Sequence, residues 1–204
     1  MSRKPKLLGR KHNVTSEDFL RTYEIADQLV SKEDLDRLVD QTAEEIRRVT
    51  KGKRAALAWS GGKDSIVLEF VSKLAGIEEG VWVRTKELEY PEQLRYSQAT
   101  KPPFIEEVVT NHDLPWLSRN PLFLFPELSS PYSDRWSKIV QRNHQDDYVK
   151  QNQVEIMLLG RRKKDGNYVP SSKLMSKGDS VRYFPLADWT HEEVFALFKH
   201  YNIP

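Results

Sequence analysis

The sequence predicts an α/β fold, and three stretches carry that prediction. Ala55 to Trp59 is a mostly apolar run that leads straight into Ser60-Gly61-Gly62-Lys63-Asp64-Ser65. A helical pattern follows at once, with Ile66, Val67, Phe70, Val71 and Leu74 at three- and four-residue spacing. After that crossover helix, Gly80 to Arg84 reads as a second strand with alternate apolar residues. Val154 to Leu159 reads as a further strand, apolar apart from Glu155. At 204 residues the chain is long enough for one sizeable α/β domain and a small appendage.

Composition narrows the class. Hydrophobic residues make up 38% and charged residues 30%, which suits a globular protein with a moderate core. A net charge of +2 is too small to indicate a nucleic-acid partner. No apolar run approaches the length of a membrane span, and the N-terminus carries no signal-peptide core. The expected location is the cytoplasm, with no membrane contact. Cysteine is absent, which excludes disulfides, thiolate metal sites and a cysteine nucleophile in these residues. The five histidines are scattered, so no zinc site is expected.

The elements follow in order. Residues 1–14 are basic and without periodicity, and read as a flexible arm, the sharper alternative being a contact to a partner or a nucleic-acid backbone. Residues 15–50 read as a helical pair. Thr15 or Ser16 caps a helix to about Val30, with Phe19, Tyr23, Ala26 and Val30 on one face. Ser31 opens a second to about Val49, with a stripe of Leu35, Leu38, Val39, Ala43 and Ile46. The pair either covers a sheet edge or forms a surface for a second copy or another protein. Residues 51–204 form the main domain. Pro103 is expected to begin a helix with Phe104, Ile105, Val108 and Val109 inward, and Leu114 to Ser118 to form a short strand. Residues 119–152 are expected to be a loop with one or two helices, Trp136 being a packing residue. Residues 165–180 read as a loop rich in Gly, Ser and Lys. Thr190 and Glu193 form a capping box, and Trp189 reads as structural.

A strand, a tight glycine turn and a helix make a phosphate cradle. Two glycines admit backbone angles closed to other residues and let an anion approach the main chain. The first helical turn adds unpaired N–H groups and a partial positive charge. SGGKDS resembles the PP-loop of the ATP pyrophosphatases, the adenine nucleotide alpha-hydrolase-like superfamily, and lacks the spacing of a Walker A loop. Pro185-Leu186, Asp188-Trp189-Thr190 and Val194 resemble the "PL-x-DWT" signature of the phosphoadenylylsulfate (PAPS) reductases and the related ATP sulfurylase small subunit. Thr85 and Tyr90-Pro91-Glu92 are similar to the segment after that family's second strand, although Arg84 and Lys86 replace its Asp and Gly. The resemblance covers about residues 53–204.

That resemblance implies a three-layer, mostly parallel twisted sheet with flanking helices, Rossmann-like, with the nucleotide across the switch point. It implies that Ser60, Gly61, Gly62, Lys63, Asp64 and Ser65 hold the β and γ phosphates of ATP or a PAPS-like adenine nucleotide. Lys63 would neutralise charge, and Asp64 would cap the helix or bind Mg²⁺. The adenine would lie against main chain near Val83. Arg161 and Arg162 would clamp the anion, Arg162 matching the family's Gly-x-Arg arginine, with Lys173 as a further basic contact. PAPS reductases attack with a cysteine in a C-terminal tail, and these 204 residues hold no cysteine. The expectations are therefore an enzyme acting at the α phosphate (an ATP pyrophosphatase or adenylyltransferase), a non-catalytic nucleotide-binding module acting through a partner protein, or a reductase that borrows a thiol in trans.

Overall fold

The computed structural model describes residues 15–123, 135–166 and 168–203, so the basic arm lies outside the described residues. A six-stranded sheet runs in the order β3-β2-β1-β4-β6-β5. Its strands are β1 (Ala55–Ala58), β2 (Gly80–Thr85), β3 (Ile105–Thr110), β4 (Ile156–Leu158), β5 (Leu174–Lys177) and β6 (Ser180–Tyr183). Every neighbouring pair is parallel except β5 with β6.

Side-chain alternation explains the layers. Leu57, Trp82, Ile105, Ile156, Leu158 and Tyr183 face one core, while Ala56, Val81, Val83 and Met157 face the other. Both faces are apolar because helices cover both, as a parallel sheet requires. Gly80 lets β2 lie tight against β1, since a Cβ there would come within 2.6 Å of the Leu57 carbonyl.

The helices are α1 (Ser16–Glu24), α2 (Ala26–Leu29), α3 (Lys32–Thr50), α4 (Lys63–Leu74), α5 (Pro91–Thr100), α6 (Leu114–Arg119), α7 (Asn143–Gln151) and α8 (His191–His200). Helix α3 supplies Leu35, Val39 and Ile46 to the larger core, together with Val67 and Val71 of α4 and Val194 and Leu197 of α8. Helix α7 seals the other face with Tyr148 and Val149, and a π turn at Lys138–Arg142 precedes it. Trp136 packs against Trp116 and Phe123.

Several expectations are corrected. The helix expected from Thr15 to Val30 breaks at Ile25, whose φ of −114° and ψ of 11° separate α1 from α2. Residues from Ile105 form β3, not a helix, because they pair with β2 along its whole length. Leu114 to Ser118 is helical, not a strand: Asp113 accepts from the Trp116 N–H at 2.9 Å and a proline occupies the first turn. The 165–180 loop contains β5, which turns at Gly178 (φ +59°) into β6.

Candidate functional site

Strand order reverses between β1 and β4, with β2 on one side of the pair and β6 on the other. At such a switch point the loops leaving the two strands diverge and open a crevice at their carboxyl ends. A cleft of about 430 Å³ lies there. Ala58 through Ser60, Asp64 and Ser65 form one wall, and Leu159, Gly160 and Arg161 leave β4 beside them. Gln141, Arg142, Gln145, Met175, Lys177 and Arg182 complete the lining. Among the described residues, four cations thus share this lining with a single carboxylate, Asp64. A larger cavity of about 560 Å³, bordered by Asp146, Lys150, Glu155 and Asp179, contains no residue of the glycine loop.

The SGGKDS loop is braced by its own serines. Ser65 Oγ accepts from the Ser60 N–H at 3.1 Å and donates to the Gly62 carbonyl at 2.8 Å. The first intrahelical bonds of α4 run to Gly62, from Ser65 and Ile66, so the preceding amides are the end donors of the helix. Gly61 has φ +70°, and a Cβ there would sit 2.1 Å from Ser97 Oγ on α5, so glycine is required twice over. Gly160 is needed for approach: a Cβ would meet the Asp64 carbonyl at 3.0 Å.

Charge behind the loop is ordered in a chain. Lys63 Nζ pairs with Asp64 Oδ2 at 2.8 Å, and Asp64 Oδ1 lies 2.8 Å from Arg162 Nε. That last contact is an ion pair without hydrogen-bond alignment, since neither atom has a hydrogen-bond partner. Arg162 is 0% exposed. Its Nη2 donates to Asp165 at 2.9 Å and to His191 Nδ1 at 3.0 Å, and its Nη1 to the Trp189 carbonyl at 3.4 Å. Burial, and then the Arg162 charge, hold the His191 imidazole below its ordinary range. The structure therefore places Arg162 behind the loop and outside the cleft lining.

Other sequence-predicted residues divide. Ser60, Asp64, Ser65 and Arg161 border the cleft. Burial and the neighbouring Arg142 push the Arg161 guanidinium down from its ordinary range. Lys173 pairs with Glu45 of α3 at 2.9 Å and with Asp188 at 3.6 Å, outside the cleft lining. Val83 is buried in the sheet, among the residues packed under α7. Sequence reasoning missed Gln141, Arg142 and Gln145 on the π turn and α7, and Met175, Lys177 and Arg182 on the hairpin. None of these lies near the glycine loop in the chain, and no local motif marked them. Among the described residues Asp64 is the sole carboxylate on the cleft, and no group of three or more metal-ligating side chains occurs.

A mostly parallel sheet with a glycine loop at its switch point is an α/β architecture of the nucleotide-binding type. The chain matches the family model of the phosphoadenosine phosphosulfate reductase domain over residues 54–204, and it belongs to that family. No curated protein matches it. Among solved structures it resembles the PAPS reductase of Candida auris, a phosphate complex, at 17% identity and TM-score 0.58, over 86% of this chain and 89% of that one. It also resembles the NH3-dependent NAD synthetase of Campylobacter jejuni, a nitrate complex, at 14% identity and TM-score 0.61, over 83% and 74%. The NMN synthetase of Francisella tularensis follows at 14% and 0.53, over 85% and 71%. These likenesses are likenesses of fold.

Proposed function

We propose that the chain binds ATP or a closely related adenine nucleotide in the switch-point cleft and acts at its α phosphate. The observation that carries this reading is that Ser60, Asp64 and Ser65 of the SGGKDS loop border the same cleft as Arg161 after β4, while Gly61, Gly62 and Lys63 lie beside it, outside its lining. Main-chain N–H groups from Gly61 to Asp64 hold the pyrophosphate end. Lys63 exchanges its contact with Asp64 for the phosphates, and the Ser60 hydroxyl turns from Ser65 Oγ, 3.2 Å away, to a phosphate oxygen. The Ser65 hydroxyl shapes the loop, its proton being held by the Gly62 carbonyl. Arg161 neutralises the anion from the β4 side.

An acceptor oxygen attacks the α phosphorus in line, the bond to the bridging oxygen breaks, and pyrophosphate leaves. Positioning and charge neutralisation supply the rate. A Mg²⁺ ion takes one or two protein carboxylates together with phosphate oxygens and water. Asp64 fits that role once Lys63 turns to the phosphates, and Arg162 holds it from behind. The adenine is assigned to main chain at the carboxyl end of β2 around Val83, because that side chain is buried in the sheet.

The test is incubation with ATP and Mg²⁺, with and without sulfate, followed by product identification. AMP and pyrophosphate, or an adenylylated acceptor with pyrophosphate, are expected. ADP and phosphate would overturn the assignment. Tight binding without turnover would instead favour a nucleotide-binding module that acts through a partner. That second reading draws on the lack of any cysteine, the thiolate being the nucleophile these residues cannot supply. With PAPS and thioredoxin, the 204-residue chain is expected to release no sulfite. Release matching a cysteine-bearing reductase would mean that the donor protein lends its thiol.

A further inference from the structure

We propose that the cleft holds a second anion subsite, separate from the glycine loop. In it Arg182 and Lys177 take a compact oxyanion brought by a molecule other than the nucleotide. The subsite deepens the nucleotide reading and rests on it only for what fills the loop.

Arg182 lies on β6 and is 3% exposed, yet it borders the cleft. Its Nη2 donates to Asp146 of α7, while its Nη1 is buried with no hydrogen-bond partner. A buried charged donor left unpaired is costly until a partner arrives. Burial pushes this guanidinium down from its ordinary range; Asp146 opposes that push and the Arg161 charge adds to it. An oxyanion on the cleft side would supply the missing acceptor and relieve the repulsion.

The chain itself shows which group the two cations accept. Asp146 places one carboxylate oxygen on Arg182 and the other 2.6 Å from Lys177 Nζ. Lys177 and Arg182 both border the cleft; Asp146 borders only the larger cavity, which Lys177 borders as well. The two cations therefore link a resident carboxylate outside the cleft to the cleft lining. Position separates them from the nucleotide site. The glycine loop leaves β1, and Arg182 lies on β6, two strands away and so about 10 Å across the sheet. Between the two backbones that spacing exceeds the width of one phosphate group. The ligand chemistry is a carboxylate or an inorganic oxyanion, and an acceptor for adenylyl or phosphate chemistry is the kind of molecule that would carry it.

Calorimetry on the full chain tests this, with α,β-methylene-ATP for the loop and acetate and sulfate for the subsite. Acetate or sulfate is expected to bind the chain already saturated with the analogue; acetate marks a carboxylate-bearing ligand and sulfate an inorganic oxyanion. Arg182→Gln should weaken that anion about tenfold or more, while affinity for the analogue stays within about twofold. Lys177→Gln, at a half-exposed position, should weaken it in the same sense without disturbing the core. Asp146→Asn should tighten it severalfold by releasing both cations. Mutual exclusion of anion and analogue would overturn the proposal, as would no binding by either anion, or an Asp146→Asn loss as large as that of Arg182→Gln. If the analogue fails to bind while Arg182-dependent anion binding persists, the subsite stands and the nucleotide reading falls.

Discussion

Lys63 and Arg162 are both cations near the loop, yet they call for opposite experiments. Lys63 is partly exposed and its present partner is its neighbour Asp64, so it is free to exchange partners. Lys63→Ala should leave the fold intact and weaken ATP binding by at least ~1.5 kcal/mol through loss of a charge-assisted contact. Calorimetry showing unchanged affinity would remove the loop from the binding site. Arg162 is buried, and its removal leaves the buried side of Asp64 and Asp165 without a counter-charge. Arg162→Ala should therefore destabilise the fold by on the order of 3–5 kcal/mol in urea unfolding. A loss of nucleotide affinity with unchanged stability would put Arg162 in the cleft after all. Sequence position brought Arg161 and Arg162 forward as equals; the structure separates them because successive residues of an extended segment point to opposite sides.

Helix α8 ties the PL-x-DWT segment to the loop. Thr190 and Glu193 cap it reciprocally, and His191 in its first turn accepts from Arg162. With its pKa depressed by burial, His191 stays neutral in the folded chain below the ordinary value of 6.5 while the unfolded chain takes up a proton. Its contribution to stability is thus complete above that value and is lost as pH falls through it towards the folded pKa. Asp165, Lys63 and Asp64 also act on the ring. His112, held down by burial and by His144, acts in the same direction, so the variant singles out the share of His191. His191→Gln should flatten the drop in unfolding free energy between about pH 7.5 and about pH 5.5; an unaltered slope would show that His191 does not carry it. Elements with one strong period were legible in the sequence. Helices α3 and α4 and strands β1, β2 and β4 lie close to where their apolar spacing puts them. Strand β3 was misread because Ile105, Val108 and Val109 satisfy a helical spacing too, and pairing with β2 decides the matter. The hairpin was misread because β5 is a largely exposed edge strand without a buried alternation. The glycine loop was legible because its chemistry is local. The opposite wall of the cleft was not, since it is assembled from α7, β5 and β6 only by the fold.

Across the whole molecule the N-terminal helices share the core of the sheet. Leu35, Val39 and Ile46 of α3 are buried in it, and the Trp189 indole donates to Thr42 at 3.1 Å. Burial of each such side chain is worth about 1.5–3 kcal/mol, against a whole-domain stability of about 5–15 kcal/mol. A fragment of residues 51–204 is therefore expected to lack a cooperative thermal transition. A sharp melt in near-ultraviolet circular dichroism would show that the helices are dispensable. The salt-bridge chain from Lys63 through Asp64 and Arg162 to Asp165, with His191 held by the same guanidinium, has a consequence for how such a protein can be altered. The six loop residues are not a portable cassette. Grafted onto another strand and helix, they would arrive without the buried arginine that steadies Asp64, and that arginine would in turn need the start of a distant helix to hold it. A designer, or natural variation, therefore has to move Asp64, Arg162, Asp165 and His191 as a single unit.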